Sequence, residues 1–181
     1  MKRNILGVMT AILAITASAP AAQAQNELSF GLAAGATIPT GDLGDDFAKT
    51  GFHGMVTVGF MPTMLPFGMR IDGMYNQLSL EDGLGDANFR IMGANANAIF
   101  AMPAMRTSPY LIGGVGVYNS KITSDDIDVE GDGVTDVGIN IGIGAKFNLS
   151  GFGTFAELRY HNIFADGSSI QFIPITFGIM F

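Results

Sequence analysis

The sequence predicts an all-β protein: an eight-stranded antiparallel up-and-down transmembrane β-barrel, preceded by a cleaved signal peptide. Three observations carry this. The first residues read as an export signal. The remainder divides into eight segments of period-two alternation. Of the two faces those segments define, one is almost purely apolar and the other collects the charges.

Lys2 and Arg3 form a positive n-region, Ile5 to Ala17 an apolar h-region, and Ala22-Gln23-Ala24 a small-residue cleavage site. Residues 1–24 are therefore read as the signal peptide and residues 25–181 as the barrel domain. Cleavage leaves seven basic against sixteen acidic residues, a formal net charge of −9. That balance excludes non-specific nucleic-acid binding. With no cysteine there is no disulfide framework and no thiolate metal or redox chemistry. No segment reaches the ~18 consecutive apolar residues of a membrane helix. A membrane crossing must then use strands, closed so that every backbone polar group is paired.

The elements follow in order. The first segment, about Leu28 to Ile38, sets Leu28, Phe30, Leu32, Ala34, Ala36 and Ile38 against Ser29, Gly31, Ala33, Gly35 and Thr37. The second, about Phe52 to Phe60, sets Phe52, Val56, Val58 and Phe60 against His53, Met55, Thr57 and Gly59. In the third, about Phe67 to Gln77, Phe67, Met69, Ile71 and Tyr75 oppose Gly68, Arg70, Asp72 and Asn76. The fourth, about Phe89 to Phe100, opposes Met92, Ala94, Ala96, Ala98 and Phe100 to Gly93, Asn95 and Asn97. The fifth, Tyr110 to Asn119, is apolar on both faces: Leu111, Val115 and Val117 on one, Tyr110, Ile112 and Tyr118 on the other. The sixth has Val137, Ile139, Ile141, Ile143, Ala145 and Phe147 facing one way and Gly138, Asn140, Gly142, Gly144 and Lys146 the other. The seventh, about Thr154 to Asn162, sets Ala156, Leu158 and Tyr160 against Phe155, Glu157, Arg159 and His161. The eighth, Gln171 to Phe181, sets Ile173, Ile175, Phe177, Ile179 and Phe181 against Thr176, Gly178 and Met180. Each is about the ~9–11 residues a tilted strand needs to cross the hydrocarbon.

Polarity separates a membrane barrel from a soluble one. With the apolar face inward, the outside would be mostly Gly, Ala, Ser and Asn. With the apolar face in lipid, both faces make sense. A cation on the lipid face costs ~2–4 kcal/mol at the midplane, and the sequence predicts no strand-interior charge there. The aromatic residues Phe30, Phe52, Phe60, Phe67, Phe100, Phe147, Phe177 and Phe181 then read as lipid contacts and an interfacial girdle.

The connections alternate. Met61 to Pro66, Met102 to Ser108 and Asn148 to Gly151 are short. Pro39 to Gly51, Ser79 to Asn88, Ser120 to Asp136 and Ile163 to Ile170 are longer and hold thirteen of the sixteen acidic residues. Outer-membrane barrels have short periplasmic turns and longer extracellular loops, so both termini are expected in the periplasm.

The chain resembles the OmpX/OmpA-type outer-membrane β-barrel proteins along essentially all of its mature length. The most specific element is Ile173-Pro174-Ile175-Thr176-Phe177-Gly178-Ile179-Met180-Phe181. Its terminal phenylalanine, preceded by Ile175, Phe177 and Ile179 at every second position, resembles the signal read by the barrel-assembly machinery. Pro109 to Tyr118 and Glu157-Leu158-Arg159-Tyr160 are similar to the superfamily's central strands. The resemblance implies a cell outer-membrane location, with outer-membrane lipid and lipopolysaccharide as surroundings and the assembly machinery as a partner during biogenesis. No cofactor is implied.

Candidate chemistry is sparse. Arg70, Asp72, Lys146, Glu157, Arg159 and His161 share the inward face by parity. Buried charges must be paired, and ~8 strands leave little lumen, so a plugging network is favoured over an ion pathway. The segment Asp126-Ile127-Asp128-Val129-Glu130-Gly131-Asp132-Gly133 places oxygen ligands and a sixth-position glycine as a calcium loop does. Its twelfth position is Val137 rather than glutamate, so it reads as an acidic loop tip attracting divalent cations diffusely. Arg159-Tyr160-His161-Asn162 resembles the histidine motif of the barrel lipid A deacylases, where a serine lies two residues on. Here that position is Ile163, so the nucleophile is missing, and His161 is expected to be satisfied by Glu157. His53 has no metal-spaced partner. The reading is a structural or surface-interaction barrel without catalysis. The alternatives are a narrow pore and, more remotely, a lipid-modifying enzyme.

Overall fold

The structure, a computed structural model, describes residues 27–41, 43–44, 48–61, 67–80, 87–102, 107–124, 133–149 and 152–181. The predicted signal peptide and the Asp126 to Asp132 segment lie outside the described residues. Eight strands follow one another: β1 (Glu27–Thr40), β2 (Gly51–Met61), β3 (Gly68–Ser79), β4 (Ala87–Ala101), β5 (Thr107–Ser124), β6 (Val134–Leu149), β7 (Phe152–Ala165) and β8 (Ser168–Met180). Each pairs antiparallel with its sequence neighbour, and β1 also pairs with β8, so the sheet closes on itself. Closure leaves no unpaired edge, which is what lipid demands of a strand-built span. The ladder continues to Phe181, whose backbone N–H donates to Phe30 O (2.8 Å) and whose carbonyl accepts from Phe30 N (3.0 Å). Pairing of β7 with β8 is interrupted between Leu158↔Ile175 and His161↔Phe172, beside Pro174, which has no N–H to give.

Period-two parity sets the faces as expected. Leu32, Phe52, Ile71, Val115, Ile141 and Phe177 are among the large apolar side chains exposed on the outside. Arg70, Asp72, Asn95, Asn140, Glu157 and Arg159 are buried inside. On β5 the question left open by its two apolar faces is settled: Tyr110, Ile112 and Tyr118 are buried and Leu111, Val115 and Val117 exposed. Glycines make room for the inward rings. A Cβ on Gly144 would stand 2.2 Å from Tyr110 Cζ, and one on Gly178 would stand 2.4 Å from Phe155 Cε1.

We call the end where β1 begins and β8 finishes the terminal end, and the opposite one the loop end. Along β7 the inward residues run Phe155, Glu157, Arg159, His161 and Ile163 from terminal end to loop end. The lumen is layered accordingly: apolar, charged, polar, then apolar again. At the loop end Leu78, Ile91, Ile163 and Phe172 are buried together with Ala48, and Leu43 packs against them. Leu43 and Ala48, described residues of the β1–β2 connection, thus pack against the apolar layer at the barrel mouth.

Two expectations are corrected. The Ile163 to Ile170 stretch is not a long loop. β7 and β8 pair to Ala165↔Ser168 and turn through Asp166-Gly167, with Gly167 at φ 78°. Asp-Gly is the hairpin dipeptide that tolerates this left-handed backbone. The lipid face is also not free of charge. Arg90 of β4 has the parity of exposed Met92, and Lys121 of β5 that of exposed Val117. Both stand toward the loop end, clear of the midplane, where the cost of a cation falls toward zero.

A buried ion-pair ring in the barrel lumen

The charged layer is built by β3 and β7, which approach across the barrel rather than along the sheet. Arg70 and Asp72 are successive inward positions of β3, and Glu157 and Arg159 successive inward positions of β7. Arg70 Nη2 donates to both Glu157 oxygens, at 2.9 and 2.8 Å, and Arg70 Nε lies 2.9 Å from Asp72 Oδ1. Arg159 Nη1 donates to Asp72 Oδ2 at 2.9 Å, and its Nε and Nη2 both reach Glu157 Oε1, the Nε at 2.9 Å. Each arginine thus touches both carboxylates. Two cations and two anions close a neutral ring, all four side chains within 3% of full burial.

Neutral donors complete the ring. Tyr110 OH donates to Glu157 Oε2 at 2.7 Å, and Asn97 Nδ2 donates to Asp72 Oδ2 at 2.9 Å. The Arg70 guanidinium lies 5.6 Å from the Phe155 ring centroid, a cation–π contact that covers its terminal side. The four charges are paired one for one, as buried charges must be, and both Glu157 oxygens and Asp72 Oδ2 are hydrogen-bonded, while Arg70 Nη1 has no hydrogen-bond partner among the described residues.

Above the ring, two histidines are held by neutral groups. Thr37 Oγ1 donates to Asn76 Oδ1 at 2.9 Å and therefore has only lone pairs left for His53 Nδ1, 3.0 Å away. His53 accordingly carries its proton on Nδ1 and accepts from Thr176 Oγ1 at Nε2, 3.0 Å. By the same logic Tyr118 OH donates to Asn95 Oδ1 and accepts from His161 Nδ1 at 2.8 Å. The His161 ring stacks on Phe172 with centroids 4.8 Å apart and planes 9° apart. Its Nε2 has no hydrogen-bond partner among the described residues.

The sequence-predicted residues are therefore partly brought together. Arg70, Asp72, Glu157 and Arg159 form one cluster. Lys146 shares the inward face but lies at the terminal mouth, in a recess of about 250 Å3 that it lines with Ser29, Arg70, Met180 and Phe181. His161 is not satisfied by Glu157, as the shared face suggests. One arginine lies between them on β7, and Tyr118 of β5 is the partner instead. The deacylase-like position Ile163 is fully buried in the apolar layer, and no serine hydroxyl bonds His161 among the described residues. Sequence reasoning missed Tyr110, Tyr118, Thr37, Asn76 and Thr176 as partners, although each has inward parity. Ile175, Phe177, Ile179 and Phe181 form an exposed stripe on β8, as expected. The described residues hold no cluster of three His, Cys, Asp or Glu that could bind a metal ion.

A family model described as "Outer membrane protein beta-barrel domain" matches residues 9–181. The chain belongs to that family. Its location is accordingly the outer membrane. Among solved structures, Neisserial surface protein A is 15% identical, with a TM-score of 0.65 over 87% of this chain and 98% of that one. The outer membrane enzyme PagL is 15% identical, with a TM-score of 0.52 over 84% and 97%. The attachment invasion locus protein Ail of Yersinia pestis, in complex with the heparin analogue sucrose octasulfate, is 17% identical, with a TM-score of 0.50 over 86% and 97%. At these identities the likeness establishes a shared barrel fold. No curated protein sequence matches the chain.

Proposed function

We propose that the protein is a non-conducting, non-catalytic outer-membrane barrel with a structural and surface-interaction role. The observation that carries this is the neutral ring of Arg70, Asp72, Glu157 and Arg159, roofed by Leu78, Ile91, Ile163 and Phe172. A permeating ion would have to replace charge-assisted bonds at one level and pass an apolar constriction at the next. Inward charges engaged with one another offer no ladder of weak sites for conduction.

In this reading residues 1–24 direct export, the termini are periplasmic, and the acidic connections face outward. Twelve acidic residues there attract divalent cations and repel polyanions. That sets this barrel apart from one holding a sulfated sugar such as the Ail complex. Support for the absence of catalysis is geometric: His161 is sealed in the lumen away from lipid, with a tyrosine rather than a nucleophile on its Nδ1. The test is planar-bilayer recording of the refolded protein. A quiet baseline is expected, and reproducible unitary currents would overturn the plugged reading.

A further inference from the structure

We propose that the outer face of β2 to β5, toward the loop end, binds a phosphorylated glycolipid of the outer leaflet. Arg90 and Lys121 would hold a phosphate, and a glycine-floored groove beneath them would hold an acyl chain.

Three observations converge. Arg90 and Lys121 are directly opposite one another on β4 and β5, on the outward face. Like charges in that relation destabilise a sheet. Neither meets a carboxylate among the described residues; Arg90 only covers the Tyr75 ring, 5.5 Å from its centroid, and its buried Nε lacks a hydrogen-bond partner. An anion between them would remove the repulsion, and guanidinium geometry suits phosphate.

The groove is the second observation. Gly54, Val56, Gly73, Tyr75, Met92 and Val117 are among the residues lining an open depression of about 650 Å3 on the outer surface. Asn119 and Thr135, hydrogen-bonded to each other at 3.0 Å, form its polar edge nearest Lys121.

The glycines themselves are the third. The inward glycines Gly93, Gly138, Gly144 and Gly178 lie against packed aromatic rings, but Gly54 does not: a Cβ there would meet nothing within 4 Å. At Gly73 it would meet only the Val56 side chain, at 3.2 Å. A glycine inside a strand weakens it and often marks close approach of a ligand. Gly54 lies between exposed Phe52 and Val56, where any apolar side chain would serve a plain lipid contact better. The cation pair gives the occupant its charge, and the groove gives it a chain. The assignment to a glycolipid rests on the proposed orientation, which puts this end of the barrel in the outer leaflet.

Native mass spectrometry of the detergent-extracted protein tests it, with bis-phosphorylated lipid A, its dephosphorylated form and phosphatidylglycerol as probes. Retention of bis-phosphorylated lipid A is expected to exceed that of each other probe at least tenfold. Arg90→Gln/Lys121→Gln should abolish that excess, and Gly54→Leu, whose Cβ has open space around it, should cut it at least fivefold by putting a side chain into the groove. Equal retention by the double variant would overturn the phosphate clamp. Equal retention of phosphatidylglycerol would overturn the glycolipid assignment. Binding is measured in detergent, so failure of the orientation reading would appear separately, in surface labelling of intact cells.

Discussion

Glu157 accepts from Arg70, Arg159 and Tyr110 at once, so no single bond describes what its removal costs. Replacing it by glutamine keeps the shape but leaves two arginines against one carboxylate inside the barrel. Removing one partner of a buried pair costs about 3–5 kcal/mol, mostly from the charge left behind. Glu157→Gln should destabilise the protein by about that amount in urea unfolding, read as the folded fraction on unheated gels. Adding Arg70→Gln restores neutrality and leaves Arg159 on Asp72 at 2.9 Å. The double variant should recover at least ~1 kcal/mol, a coupling within the ~0.5–3 kcal/mol range of contacting residues. Strict additivity of the two losses would mean that the ring is not a unit.

At the scale of the strand, the faces of seven of the eight elements were legible because the side-chain period is two, and one apolar and one polar set suffice to fix the parity; β5, apolar on both faces, lacked that contrast. Partnership was not legible in the same way. Arg70 and Glu157 are 87 positions apart, and whether β3 and β7 meet at the same height depends on tilt and stagger around the whole barrel. The pairing of His161 with Glu157 failed for that reason: sharing a face on one strand does not bring ring and carboxylate together. The Asp166-Gly167 turn, by contrast, was written in the sequence as a hairpin dipeptide, and Phe164, Ser168 and Ile170 continue the flanking strands. β8 carries the other element-scale expectation. Its exposed stripe ends at Phe181, 67% exposed yet held in the ladder by Phe30. We read Ile175, Phe177, Ile179 and Phe181 as an assembly signal. Phe181→Ser should lower the outer-membrane fraction severalfold in cell fractionation while changing in-vitro refolding little. A matching loss in refolding would make Phe181 a packing residue instead.

For the whole molecule, the proposed orientation makes the two ends of the barrel experimentally distinct. The two ends differ in chemistry: the loop end carries the acidic connections, with Leu43 and Ala48 packed at the mouth, and the terminal end the short turns. In this class of barrel the short turns lie on the periplasmic side and the longer loops outside. The chain contains no cysteine, so any single introduced thiol reports one position only. Asp166 sits at the tip of the β7–β8 turn and Met102 just beyond β4 at the opposite end, 59% exposed. Both substitutions lie outside the lumen and the ladder interior, so neither should disturb folding. With a membrane-impermeant maleimide, Asp166→Cys should label on intact cells. Met102→Cys should label only after the outer membrane is permeabilised. The reverse pattern would turn the barrel over, put Arg90 and Lys121 in the inner leaflet, and make a phospholipid rather than a glycolipid the ligand within their reach.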